Sequence, residues 1–277
     1  MLAPFLIMLR EGLEAALIVG IIAGYLRQTG RAQWLPVVWI GIFLAVALSL
    51  FVGAGIQLFS AGFPQKAQEL FEAVIGLLAV AVLVGMVFWM RRVARSIKSE
   101  LHASVDHALA EQGGAAWALI GMVFLAAARE GLESVFFLLA IFQQSPTAAA
   151  PIGALLGVLV AVAAGWAIYA GSLRLNLRRF FRWTGIFILF VAAGLLAGSV
   201  KALHEAGLWN GLQQVVFDLT HVLPESSPLG TVLSGLLGYR EAPTLGEVIA
   251  YVVFLVMTLI LFLRPHAVAP LKSVSNV

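Results

Sequence analysis

Two short tracts hold the residues whose types and spacing can do chemistry. Leu9-Arg10-Glu11-Gly12-Leu13-Glu14 lies inside one long apolar run, and Ala128-Arg129-Glu130-Gly131-Leu132-Glu133 lies inside another, with five consecutive residues identical. Glu11 and Glu14 are three apart and share one helical face, as do Glu130 and Glu133. If the two faces meet, four carboxylates converge. Gly12 and Gly131 leave no side chain beside them, which lets helices approach closely. Arg10 and Glu14 have the spacing to pair along one helix, as do Arg129 and Glu133. A charged side chain at the centre of a membrane helix costs about 2.5–3.5 kcal/mol on insertion scales. These six groups must therefore face protein or water. Each tract has two acids and one base, so pairing leaves one negative charge in each. A buried carboxylate without a partner is unfavourable unless it is protonated or meets a cation. A metal ion can supply that charge, and an all-carboxylate donor set favours hard ions such as Fe(III), manganese, magnesium or calcium over soft ones. The plainer reading of the same residues is that two Arg–Glu pairs lock two helices together.

A second acidic pair, Glu69 and Glu72, also shares a face, at the start of a third apolar run. It reads as a capture site that raises the local cation concentration, or as acids placed favourably at a helix N-terminus. His204 and Glu205, at the end of a later run, are candidates for an outer metal site. Asp218, His221 and Glu225 follow on the same side. His102, Asp106, His107 and Glu111 lie on a polar stretch that suits an amphipathic helix, with a solvated face the simpler account of them. Trp34, Trp39, Trp89, Trp183 and Trp209 fall near the ends of apolar runs, where interfacial anchoring explains most of them.

The elements that must position these groups are membrane helices. Of the 277 residues 61% are hydrophobic and only 11% charged, well under the roughly 25% usual in soluble domains. There is no cysteine, which excludes disulfides, thiolate metal sites and cysteine catalysis. The formal charge of +3 comes from basic residues clustered between apolar runs and is no nucleic-acid signal. About 20 apolar residues cross the hydrocarbon, and seven segments qualify, at 2–26, 34–59, 68–90, 115–142, 148–171, 180–203 and 245–263. The first is too long for a signal-peptide core and lacks a basic leader, so it reads as a permanent span. One side of the membrane collects Arg27, Arg31, Arg91, Arg92, Arg95, Lys98, Arg174, Arg178, Arg179, Arg182, Arg264 and Lys272, whereas the other has Lys66, Lys201 and Arg240. The basic side is cytoplasmic, which puts the N-terminus outside and the C-terminus inside. The outer loop 207–244 holds an apolar stretch, 231–237, that reads as a short surface or re-entrant helix or as a plain connector.

The doubled tract is part of a longer repeat. Residues 41–55 read like 157–171, with Ala45-Val46-Ala47 matching Ala161-Val162-Ala163, and the third and sixth runs align more loosely from Phe71 and Phe181. Three spans per unit inverts the second copy relative to the first. The expected architecture is an all-α integral membrane protein forming one domain over 1–277. It has a first repeat over about 1–95, a second over about 114–207, and an outer loop with a seventh helix over about 208–277. Such inverted repeats hold a substrate site at their interface near the midplane.

Arg-Glu-Gly-Leu-Glu in the first and fourth spans resembles the signature of the oxidase-dependent iron transporter family of iron permeases, in its bacterial EfeU-type branch. The similarity extends in order through 4–19, Phe63-Pro64-Gln65-Lys66, Glu69-Leu70-Phe71-Glu72, 128–139, 204–210 and 236–243. The resemblance implies iron uptake across a bacterial inner membrane by a multi-pass permease. It gives Glu11, Glu14, Glu130 and Glu133 the paired-glutamate roles, Arg10 and Arg129 the flanking positions, and Glu69 and Glu72 the acidic pair of the third span. It implies iron as transported substrate with no permanently bound cofactor. Fungal members take Fe(III) from a multicopper oxidase, and bacterial systems use periplasmic partners of the EfeO and EfeB type. The long extracellular acidic motif of fungal members is absent from this sequence.

The expectation is thus a high-affinity permease for Fe(III) or Fe(II). The alternatives are a permease for another divalent metal such as lead or manganese, and a non-transporting structural subunit. An intramembrane enzyme is disfavoured, because no His-Glu-x-x-His tract exists.

Overall fold

In the computed structural model, residues 2–60, 62–93, 97–110, 113–144, 149–169 and 177–264 are described. Arg95, Glu111, Arg174 and Lys272 lie outside the described residues, as do the side chains of Arg91, Arg92, Lys98, Arg178 and Arg179. The described chain is helical, with one isolated bridge between Val215 and Thr244. The long helices follow the apolar runs: α1 (Leu2–Gln28), α2 (Leu35–Ser60), α3 (Gln65–Val93), α5 (Ala115–Gln144), α6 (Ala149–Tyr169), α7 (Leu177–Glu205) and α9 (Leu245–Leu263). Two shorter helices intervene, α4 (Ile97–Ala110) and α8 (Pro228–Leu237).

Five helices, α2, α3, α6, α7 and α9, are long and apolar enough to cross a membrane. The other two long helices, α1 and α5, have 27 and 30 residues and carry the charged tracts near their middles. The outward faces of α2 and α6 bear large bare apolar groups, among them Phe51 at 77% and Val162 at 63% exposure. Contiguous surface of that kind is unstable against water and suits lipid.

The packing crosses between the two halves of the chain. α1 lies along α6, α5 lies along α2, and α3 lies along α7, which also carries α9. Small residues let the crossed pairs approach. A Cβ on Gly12 would stand 2.6 Å from Ala161 Cβ, and one on Gly131 would collide with Ser49. Ser49 turns its hydroxyl back to the Ala45 carbonyl, 2.9 Å away, so it is satisfied within α2 and presents a small surface to α5. The main core forms where α3, α5, α7 and α9 meet, around Ala79, Leu83, Phe137, Leu189, Ala192 and Phe262.

The polar stretch after α3 is the helix α4, packed on α5 and α1. Its Asp106 accepts hydrogen bonds from the Tyr25 hydroxyl and from Arg31 Nη1 at 2.9 Å. Those donors hold the Asp106 carboxyl below its ordinary pKa. His102 stacks on the Tyr25 ring at 4.0 Å. His102 and Asp106 are thus engaged in fastening α4 to the end of α1.

The outer loop is structured too. α7 ends at Glu205, and the chain turns at Gly207, whose φ of +74° favours a residue without a Cβ. Backbone bonds from Gly207 to His204 and from Leu208 to Leu203 close the helix end. Residues 212–219 then run beside 241–246, joined by backbone bonds such as Val216 to Pro243 and Leu219 to Glu241. Asp218 accepts from the Thr220 backbone N–H and hydroxyl. Glu225 and Glu241 each accept from the other's backbone N–H. The apolar stretch forms α8, started by the Ser227 cap and Pro228 and ended by Gly238 at φ 66°. Gly238 sits against Gly194, which is eleven residues inside the end of α7 or about 16 Å along it. The loop therefore folds back deep along the bundle. α9 opens with Thr244, whose hydroxyl accepts from the Glu247 N–H and donates to its carboxylate, a reciprocal cap.

A Cβ at Gly194 would lie 2.7 Å from Gly238 Cα, a clash with backbone that no rotamer relieves. Gly194→Val is expected to cost about 1–3 kcal/mol and to free α8 from α7. Thermal unfolding of the detergent-solubilised protein, with proteolysis between 207 and 244, measures both effects.

Candidate metal centre

The close approach of α1 to α5 and of each to its crossed partner brings the two charged tracts to one place. Among the described residues, Glu11, Glu14 and Glu130 form the one group of three or more acids or histidines whose donor atoms fall together, all within 4.8 Å. All three are buried. Hard cations hold oxygen ligands at about 2.0–2.6 Å, so oxygens at these separations can share one ion. Several carboxylate oxygens are buried without a hydrogen-bond partner: both of Glu11, Oε1 of Glu14, Oε2 of Glu130 and Oε2 of Glu133. Glu14 Oε1 lies 3.0 Å from Arg10 Nη2, close in charge but outside hydrogen-bond geometry.

The fourth glutamate is turned aside. Glu133 Oε1 accepts from Arg129 Nε at 3.0 Å, while its charge still acts on Glu11, Glu14 and Glu130. The two arginines differ in setting. The Arg10 side chain is 2% exposed and lies 3.0 Å from Glu14 and 3.6 Å from Glu11, whereas that of Arg129 is 46% exposed. Both expected i,i+4 pairs are present. Three carboxylates meet one enclosed guanidinium, so the cluster carries surplus negative charge when ionised.

The outer residues do not gather into a comparable group. Glu69 accepts from Gln65 Nε2 at 3.1 Å. Glu72 is half-buried, in the combined field of Arg240, Glu205, Lys201 and Glu69. The mouth that reads as acidic in sequence therefore includes two basic side chains. Glu205 pairs with Lys201 at 3.4 Å. His204 tilts against Trp209, ring centres 5.0 Å apart, and both its ring nitrogens are buried without a partner.

Sequence reasoning missed two residues that touch the arginines. Arg10 Nη1 donates to Met86 Sδ at 3.1 Å, and the Arg129 guanidinium lies 4.2 Å above the Trp89 ring. Trp89 reads in sequence as an interfacial anchor, but its ring underlies a charge. Trp39 and Trp183 do face outward. The three-residue spacing of Met86 and Trp89 on one helix was the available signal, and no charge marks it.

The chain matches the family model described as the iron permease FTR1 family over residues 1–275. It is 56% identical to the ferrous iron permease EfeU of Yersinia pestis over 265 residues, 96% of this chain and 94% of that protein. It is 53% identical to the ferrous iron permease EfeU of Escherichia coli O157:H7 over 265 residues, 96% of each chain. No solved structure matches it.

The unequal burial of the two arginines sets an order of cost. Arg10→Ala strands buried carboxylates and is expected to lose about 3–5 kcal/mol of stability. Arg129→Ala breaks a half-exposed pair, worth about 0–1 kcal/mol. Paired melting curves in one detergent test the ranking, and equal losses would contradict it.

Proposed function

The chain belongs to the iron permease FTR1 family, and from that premise we propose that it imports iron across a bacterial inner membrane past the glutamates of α1 and α5. The observation that carries the reading is the convergence of Glu11, Glu14 and Glu130 within 4.8 Å with oxygens that no hydrogen bond satisfies. A travelling cation supplies the missing charge, and carboxylate oxygen suits iron in either oxidation state. The relatives are named ferrous iron permeases, which favours Fe(II) as the species carried. Glu133 completes the ligand set when it leaves Arg129. Glu69 and Glu72 draw the cation in at the outer mouth, where His204 and Glu205 contribute a further weak stop.

The proposed frame is seven spans, α1, α2, α3, α5, α6, α7 and α9, with the N-terminus outside and the C-terminus inside. α1–α3 and α5–α7 are inverted copies. Exchanging the copies turns the α1–α6 pair into the α5–α2 pair and returns the α3–α7 pair to itself, and both crossed pairs occur. That supports a two-fold relation with the glutamates near the midplane. Release follows when the two halves rock or a carboxylate takes up a proton. Lipid surrounds the apolar faces, and periplasmic proteins of the EfeO and EfeB type are the proposed donors of iron. The protein works as a carrier and not as an enzyme.

Glu14→Ala and Glu133→Ala are each expected to abolish uptake of radiolabelled iron while the protein still reaches the membrane. Normal uptake by either at equal expression would remove the site. In competition with a panel of unlabelled metals, iron should displace the label best. Stronger competition by lead or manganese would reassign the substrate.

A further inference from the structure

A second function of α3 concerns the arginines of the two tracts, and it rests on the permease reading. Met86 and Trp89 are three residues apart and lie on one face of α3. Each receives one arginine, although the arginines come from different helices: Arg10 of α1 donates to Met86 Sδ at 3.1 Å, and Arg129 of α5 lies 4.2 Å over Trp89. We propose that Met86 and Trp89 are positioning residues that keep Arg10 and Arg129 from closing fully over the glutamate cluster, so that its remaining oxygens stay available to the metal.

The reasoning begins with competition. A guanidinium has five donors and can give a carboxylate two parallel hydrogen bonds. Arg10 is close enough to both Glu11 and Glu14 to fold in between them and take the place of the cation. It does not do so fully: Nη2 is 3.0 Å from Glu14, while Nη1 is 3.6 Å from Glu11 and turns to the sulfur. Arg129 likewise bonds Glu133 through Nε, and its planar face is occupied by the indole. Thioether and indole share a property that suits this task. Both attract a guanidinium, yet neither carries a charge. They hold the arginines in place and leave the negative surplus of the cluster undiminished. A carboxylate in either position would hold the arginine more firmly and offer the metal a competing site.

The test separates affinity from turnover. Purified wild-type protein, Met86→Leu, Met86→Gln, Trp89→Leu and Trp89→Phe are reconstituted into liposomes, and initial rates of labelled Fe(II) uptake are measured against concentration. Without the sulfur or the ring, the arginines fall onto the carboxylates. Met86→Leu and Trp89→Leu should raise the KM for iron about three- to tenfold, which for Trp89 lies within the roughly two- to thirtyfold that a lost cation–π contact spans, with little change in maximal rate per reconstituted protein. Met86→Gln keeps an acceptor and Trp89→Phe keeps a π face, so both should restore most of the affinity. An unchanged KM in both leucine variants would overturn the proposal. So would Trp89→Phe behaving like Trp89→Leu, or changes confined to maximal rate or protein yield, since packing alone explains those. Wild-type liposomes that take up no iron would instead overturn the permease reading, and this one with it.

Discussion

Taking carboxylates out of water is the constraint around which the bundle is arranged. An isolated ionised carboxylate in a low-dielectric interior is so unfavourable that it must find a counter-charge or a proton. Here Glu11, Glu14 and Glu130 are brought within 4.8 Å of one another, which makes each raise the cost of the next. Arg10 offsets part of it. The remainder stays uncompensated, because the cluster holds three carboxylates and one enclosed guanidinium. The neighbouring neutral contacts, a thioether and an indole, fit that arrangement.

The two tracts are identical in sequence and unequal in surroundings. Arg10 is enclosed among α1, α3 and its own glutamates, and Arg129 is nearly half exposed. A repeat with perfect symmetry would treat both arginines alike. The bundle instead holds one ion pair sealed and one open.

The sequence was a good guide to elements and a poor one to neighbours. Apolar run length and charged interruptions delimit the long helices within a few residues, because lipid-facing length is a one-dimensional property. The doubled Arg-Glu-Gly-Leu-Glu tract pointed to convergence, and the i,i+4 pairs followed from helix geometry alone. Which helix lies against which is set by small side chains such as Gly12, Ala161, Ser49 and Gly131, whose pairing has no period to read. Arg240 reaches the field of Glu72 only because α8 returns along α7, a path that its own residues do not announce. Met86 and Trp89 were invisible for a different reason: sulfur and indole look like ordinary core until an arginine is seen on them.

The crossed pairing of helices has a consequence for biosynthesis. α1 is made well before its main packing partner α6, which ends at Tyr169. At ordinary translation speeds the ribosome needs roughly 7–28 s to make the intervening stretch. Through much of that interval α1 lacks both Glu130 and the α6 surface against which it packs. Neither half of the polypeptide can mature alone, since the second helix of each is completed by the first helix of the other. The cluster therefore closes only after both α5 and α6 have been made.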